Sequence, residues 1–148
     1  MKAVIQRVRS ASVTINGDIS REIGKGMVIL AGIQKGDTEA DVIKTAVKIT
    51  KLRLFEDDQG KMNLDINAAG GEILSVSQFT LLGDLSSGNR PGFDDAEVPQ
   101  KAKILWELFN CAIIKQGISV KIGDFGAIML VKIFNDGPVT FVLDSKYS

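Results

Sequence analysis

The sequence predicts an α+β fold of mixed, mostly antiparallel sheets packed with two helices, layered as a ββα sandwich or barrel. Three observations carry this prediction. β-Branched, strand-like runs outnumber helical ones, apolar positions repeat with helical spacing in two segments, and strands and helices do not alternate strictly. The 148 residues are 45% hydrophobic and 24% charged, ordinary values for one domain, residues 1–148, with its own core.

Residues 2–15 are rich in valine and isoleucine and end at Asn16-Gly17, a strong hairpin signal, followed by a short strand from Ile19 to Ile23. After Gly24-Lys25-Gly26, the unbroken apolar run Met27–Ile33 reads as a strand buried on both faces. Thr38 and Asp41 form an N-terminal capping pattern, and Val42, Ile43, Ala46 and Val47 set the inner face of a first helix. A short strand, Leu52–Phe55, runs into the turn Asp57-Asp58-Gln59-Gly60. Residues 72–82 read as another strand, and 83–97 as a polar loop. Pro99 opens a second helix with Ile104, Leu105, Leu108, Ala112 and Ile113 inward and Gly117 as its stop. Strands at 118–123, 128–134 and 139–144 follow, the last two joined by the turn Asn135-Asp136-Gly137-Pro138.

Composition excludes several chemistries. There is no histidine, so no Ser-His-Asp or Cys-His apparatus and no histidine zinc site is available. Cys111 is the single cysteine; set among apolar helix residues, it reads as a buried, inert thiol, and one thiol fits a reducing, cytosolic setting. Glu56-Asp57-Asp58 reads as a solvated turn, and no metal or other cofactor is expected. Eighteen basic residues balance eighteen acidic ones, so contact with nucleic acid should be local. The N-terminus lacks a long apolar segment, and Met27–Ile33 is too short to span a bilayer.

Two segments carry more polarity than their elements need. Ser75-Val76-Ser77-Gln78-Phe79-Thr80 is either a half-exposed strand edge or, if the chain bends, a place where backbone amides converge on one oxygen. Asn135-Asp136-Gly137-Pro138-Val139-Thr140 is either a hairpin turn or, if Gly137-Pro138 is cis, a pair of unusually directed carbonyls able to hold an ammonium group.

Together, Ser77-Gln78-Phe79-Thr80 and Gly137-Pro138 resemble the signature of the D-aminoacyl-tRNA deacylases, as do AVIQRV, GDTEAD, RLFEDDQGKMNL and FVLDS along the whole chain. The resemblance implies a homodimer that hydrolyses the ester joining a D-amino acid, or glycine, to the terminal adenosine of tRNA. It implies amides of Gln78, Phe79 and Thr80 on the carbonyl, with the ribose 2′-hydroxyl assisting in place of a Thr80 nucleophile. Gly137 and Pro138, reaching in from the partner subunit, would hold the substrate ammonium and exclude L side chains. Arg7 would brace that motif across the dimer, and Phe125 and Met129 would lie near the adenine, although ordinary core packing explains these two as well. The 87–91 loop is less basic than in many members, and Ile128 stands where many have histidine or tyrosine. Three other readings remain open at this point: a small-molecule esterase on the same scaffold, a tRNA-end binding module without turnover, and a structural dimerising domain.

Overall fold

The computed structural model describes residues 1–86 and 88–147. It begins with β1 (Lys2–Ile15), β2 (Asp18–Ile23) and β3 (Gly26–Gly32). Alternation places Ala3, Ile5, Val13 and Ile15 inside, as period-two patterning requires. The hairpin between β1 and β2 turns on Asn16 at φ 52° and Gly17 at φ 96°, the left-handed pair that a tight hairpin turn demands. Every residue of β3 except Leu30 is buried, in keeping with a strand covered on both faces.

Helix α1 (Glu39–Thr50) starts on the expected capping box: Asp41 N–H donates to Thr38 Oγ1 at 3.3 Å, and Thr38 N–H donates to Asp41 Oδ2 at 2.9 Å. Its buried side is Val42, Thr45, Ala46, Ile49 and Thr50, so Ile43, expected inside, turns outward. A ribbon of β4 (Phe55–Glu56) and β5 (Met62–Leu64) follows. β4 begins later than expected, because Leu52 and Leu54 still donate to Ile49 and Leu52 carbonyls as the helix unwinds. Asp57 then caps the turn, accepting the Gln59 and Lys61 amides at 2.9 and 3.0 Å. These amides, Lys61 first, hold its carboxyl below the usual range.

β6 (Glu72–Ser77) is shorter than the strand expected over 72–82; the chain bends at Gln78 and winds into a 3-10 turn at Phe79–Leu82. Helix α2 (Pro99–Ile114), β7 (Val120–Ile122) and β8 (Met129–Asp144) complete the domain. The sheet runs β2-β1-β3-β6-β7, with β8 laid along the whole length of β1. β3–β6 and β6–β7 are parallel and the remaining pairs antiparallel, so the predicted mixed α+β architecture holds.

Two cores result. Ile5, Met27, Ile29 and Ile73 face α1 and α2, while Val8, Val13, Val28, Leu74 and Val76 lie under the other face with Met129, Val131 and Ile133 of β8. The inner stripe of α2 is Ala102, Leu105, Trp106, Phe109, Ala112 and Ile113. Seating Trp106 and Phe109 rotates the helix so that Ile104 is 60% exposed and Cys111 is exposed too, which corrects the reading of a buried thiol. Among the described residues, no helix is long and apolar enough to cross a membrane.

The second correction concerns residues 135–138. They do not form a hairpin turn between two strands; β8 continues through them, paired with β1 on both sides. Gln6 pairs with Thr140 and Val8 with Asn135, so the intervening residues of β8 bulge out of the ladder. The Asn135 side chain closes the bulge. Its Oδ1 accepts Val139 N–H at 3.1 Å, and its Nδ2 donates to Val139 O at 3.3 Å and Thr140 Oγ1 at 3.1 Å. One amide thereby satisfies backbone groups that the displaced ladder leaves open.

Candidate active site

A cleft of about 680 Å³ opens where β6 ends. Ser77, Gln78 and Phe79 form one wall, Phe125 and Met129 another, and the segment from Phe93 to Pro99 the rim. Thus five of the residues singled out in the sequence meet at one cavity. The local reason is the bend. Gln78 has φ −142° and ψ 79°, and its N–H still donates to Ala31 O at 2.8 Å, so it is the last residue held by the sheet. The amides of Phe79 and Thr80 come next, at the start of the 3-10 turn, where N–H groups have no partner within the turn. Neither has a backbone acceptor among the described residues.

The Thr80 hydroxyl accepts a hydrogen bond from Gln78 Nε2. An amide nitrogen cannot take a proton from it, so this contact orients the hydroxyl without activating it. Glu97 also faces the cleft, but its carboxylate takes Lys101 Nζ at 2.7 Å and Val98 N–H at 3.0 Å. The lysine hydrogen bond, then the amide, holds its carboxyl below the usual range, which makes it a poor base. Phe125 is anchored from behind by Trp106, ring centroids 5.8 Å apart. Ser75 lies deeper, its Oγ buried with no hydrogen-bond partner among the described residues.

Thr80, Gly137, Pro138 and Arg7 are not among the residues that line this cleft. Gly137-Pro138 is a cis peptide bond at the exposed crest of the β8 bulge. Gly137 has φ +121°, and a Cβ there would lie 2.7 Å from Val139 Cγ2 and 3.1 Å from Arg7 Nη2, so both conformation and space require glycine. Arg7 is only 6% exposed, not the solvated strand charge that its position would suggest. Its Nη1 donates to Leu54 O at 2.8 Å and its Nε to Asp136 O at 3.3 Å, with Glu56 and Asp136 carboxylates each 3.6 Å away. Asp136 also pairs with Arg9 at 2.9 Å. Arg7 thus contacts the bulge of its own chain through Asp136.

Sequence reasoning did not single out Phe93, Lys35 or Glu97 at the rim, nor the Asn135 clamp. Phe93 carried one usable signal, a large aromatic directly after the Pro91-Gly92 turn of a polar loop. Ser87 of that loop lies outside the described residues.

A largely apolar cleft lined by a few polar side chains is the form of an enzyme site that orients a small or terminal group. The relatives fix the class as a hydrolase. The family described as D-Tyr-tRNA(Tyr) deacylase matches residues 4–144. A D-aminoacyl-tRNA deacylase of Lactobacillus delbrueckii subsp. bulgaricus is 53% identical over 144 residues, 97% of this chain and 99% of that protein. One from Staphylococcus carnosus is 51% identical over 146 residues, 99% and 97% of the two chains. Among solved structures, a c-Myc DNA unwinding element binding protein superposes with TM-score 0.92 at 41% identity, covering 97% of this chain and 98% of that one. A probable eukaryotic D-amino acid tRNA deacylase, at 14% identity and TM-score 0.84 over 96% and 97% of the chains, shares the fold. The chain belongs to the D-Tyr-tRNA(Tyr) deacylase family.

Proposed function

We propose that this enzyme hydrolyses the ester of D-aminoacyl-tRNA, and of glycyl-tRNA, in the cytoplasm, releasing the free amino acid and tRNA. The observation that supports the mechanism is the pair of amides at Phe79 and Thr80, which have no backbone acceptor among the described residues and follow the bend where β6 enters a cleft of about 680 Å³. Aimed at the ester carbonyl, they stabilise the oxyanion that forms as water adds to the carbon. Collapse of that intermediate breaks the bond to the ribose oxygen, which leaves protonated. With no histidine in the chain and Glu97 tied up, the adjacent 2′-hydroxyl of the substrate assists the proton transfers. Phe125 and Met129 flank the adenine.

Chirality is read by a partner subunit. Gly137 and Pro138 lie away from their own cleft, and Leu130 and Phe134, which share one face of β8, are exposed apolar residues at 62% and 63%. Covering that face with a second copy forms a two-fold homodimer. The bulge then enters the opposite cleft, where its carbonyls hold the substrate ammonium and leave no room for an L side chain. Exclusion by a rigid wall discriminates more strongly than a missing contact. A duplex-DNA-binding reading, suggested by one relative's name, lacks support in a chain of zero net charge. The test is turnover of matched D- and L-tyrosyl-tRNA. Rapid loss of the D ester alone supports the reading, and equal rates would sink it.

A further inference from the structure

Two aromatic side chains sit at the mouth of the cleft with solvent on one side. Phe79 is 56% exposed and Phe93 37%, and their rings meet edge to face at 5.0 Å and 63°. The chain holds only nine aromatic residues (seven Phe, one Trp and one Tyr), so two on one rim are a large share. Their exposure does not come from a loose loop. Asp84 and Gly92 exchange backbone hydrogen bonds of 2.8 and 2.9 Å, closing the loop at its neck just before Phe93. Beyond Phe93, Lys35 N–H donates to Asp95 O at 2.9 Å and Glu97 N–H to Ile33 O at 3.0 Å, stitching the return to the end of β3. Gly83 lets the ring settle, since a Cβ there would lie 3.2 Å from Phe93 Cε1. A rigid, half-exposed aromatic pair at the edge of a cavity is a surface prepared for a flat ligand.

We propose that Phe79 and Phe93 form a stacking subsite for the nucleobase that precedes the terminal adenosine of the RNA. This rests on the tRNA-ester reading above and extends it from one nucleotide to two. The cleft takes the aminoacyl-adenosine, and the strand must leave past the rim, where the phenylalanines lie. Charge cannot do the holding there: Lys35 and Asp94 both line the cleft, so their charges offset each other, and the chain as a whole is neutral. An unpaired RNA end is held in such a setting by its π-faces, and an aromatic platform accepts any base.

The experiment compares D-tyrosyl-adenosine with the D-tyrosyl ester of cytidylyl-adenosine. Stacking predicts that the wild-type protein prefers the dinucleotide ester by roughly 5- to 100-fold in kcat/KM. Replacing the cytosine by an abasic sugar should erase the preference with no change to the protein. Phe93→Ala should bring the ratio of the two substrates toward one, and Phe93→Trp should restore it. Calorimetric titration with unacylated adenosine and cytidylyl-adenosine reads the same ratio without turnover. Failure of the deacylase reading therefore leaves the subsite test intact. An abasic dinucleotide that binds and reacts as well as the normal one would overturn the proposal. So would a Phe93→Ala variant that weakens nucleoside and dinucleotide equally, since Phe93 would then be part of the cleft wall.

Discussion

Replacing Arg7 by methionine keeps most of the side chain's length and removes its donors and charge. The structure gives the cost. The 2.8 Å bond to Leu54 O is a buried charge-assisted hydrogen bond, worth about 1.5–3 kcal/mol, and its loss strands a buried carbonyl. The Asp136 O contact, at 3.3 Å, adds less. The Glu56 pair adds little, because that carboxylate is 58% exposed and screened by water. Together these suggest about 2–4 kcal/mol, and for a domain of this size roughly 5–15 °C in Tm. Glu56→Gln should cost at most ~0.5 kcal/mol, and that difference separates the buried brace from the surface ion pair. Scanning calorimetry of both variants measures the stability. D- against L-tyrosyl-tRNA turnover then tests whether a looser Asp136-Gly137 peptide admits the L ester. An Arg7→Met protein that melts within 1 °C or so of wild type and keeps full D/L selectivity would refute the bracing argument.

Further outcomes follow from the same geometry. Thr80→Ala keeps the main-chain amide and should retain much of the activity, while a 2′-deoxy terminal adenosine should lose about 10²-fold or more in single-turnover rate; the reverse pattern makes Thr80 the nucleophile. Phe134→Lys on the exposed face of β8 should give monomers by sedimentation and lose deacylase activity; a fully active monomer contradicts site completion in trans. Thr38→Ala should destabilise by about 0.5–2 kcal/mol in urea, since it removes the α1 cap. Asp41 is held below the usual carboxylate range by the side-chain and then the backbone hydrogen bond from Thr38. Its contribution is therefore present above the ordinary carboxylate pKa and lost as pH falls through the lowered one, so Asp41→Asn should flatten the acid limb of a stability profile.

What was legible in the sequence was what local chemistry dictates. Asn16-Gly17, Thr38 with Asp41, and Pro99 each fix an element boundary through their own backbone or side-chain geometry, and the structure places all three as read. Ser77, Gln78, Phe79, Phe125 and Met129 stand out in the sequence, and they meet at one cleft. The misses arose where tertiary contacts decide. Asn135-Asp136-Gly137-Pro138 has turn composition, yet β1 pairs with both flanks and draws the segment into a bulge. The phase of α2 was set by seating Trp106 and Phe109, which turned Ile104 and Cys111 to solvent.

The contact between Trp106 and Phe125 has a practical consequence. Trp106 is the sole tryptophan, 3% exposed, and packs against the back of a ring whose other side faces the cleft. A ligand that shifts Phe125 changes the indole's surroundings, while Tyr147, 89% exposed, is not among the residues lining the cleft. The protein thus carries a native optical reporter beside its own binding site. With a nucleoside in the cleft as proposed, emission from that indole should change as the unlabelled ligand arrives and departs.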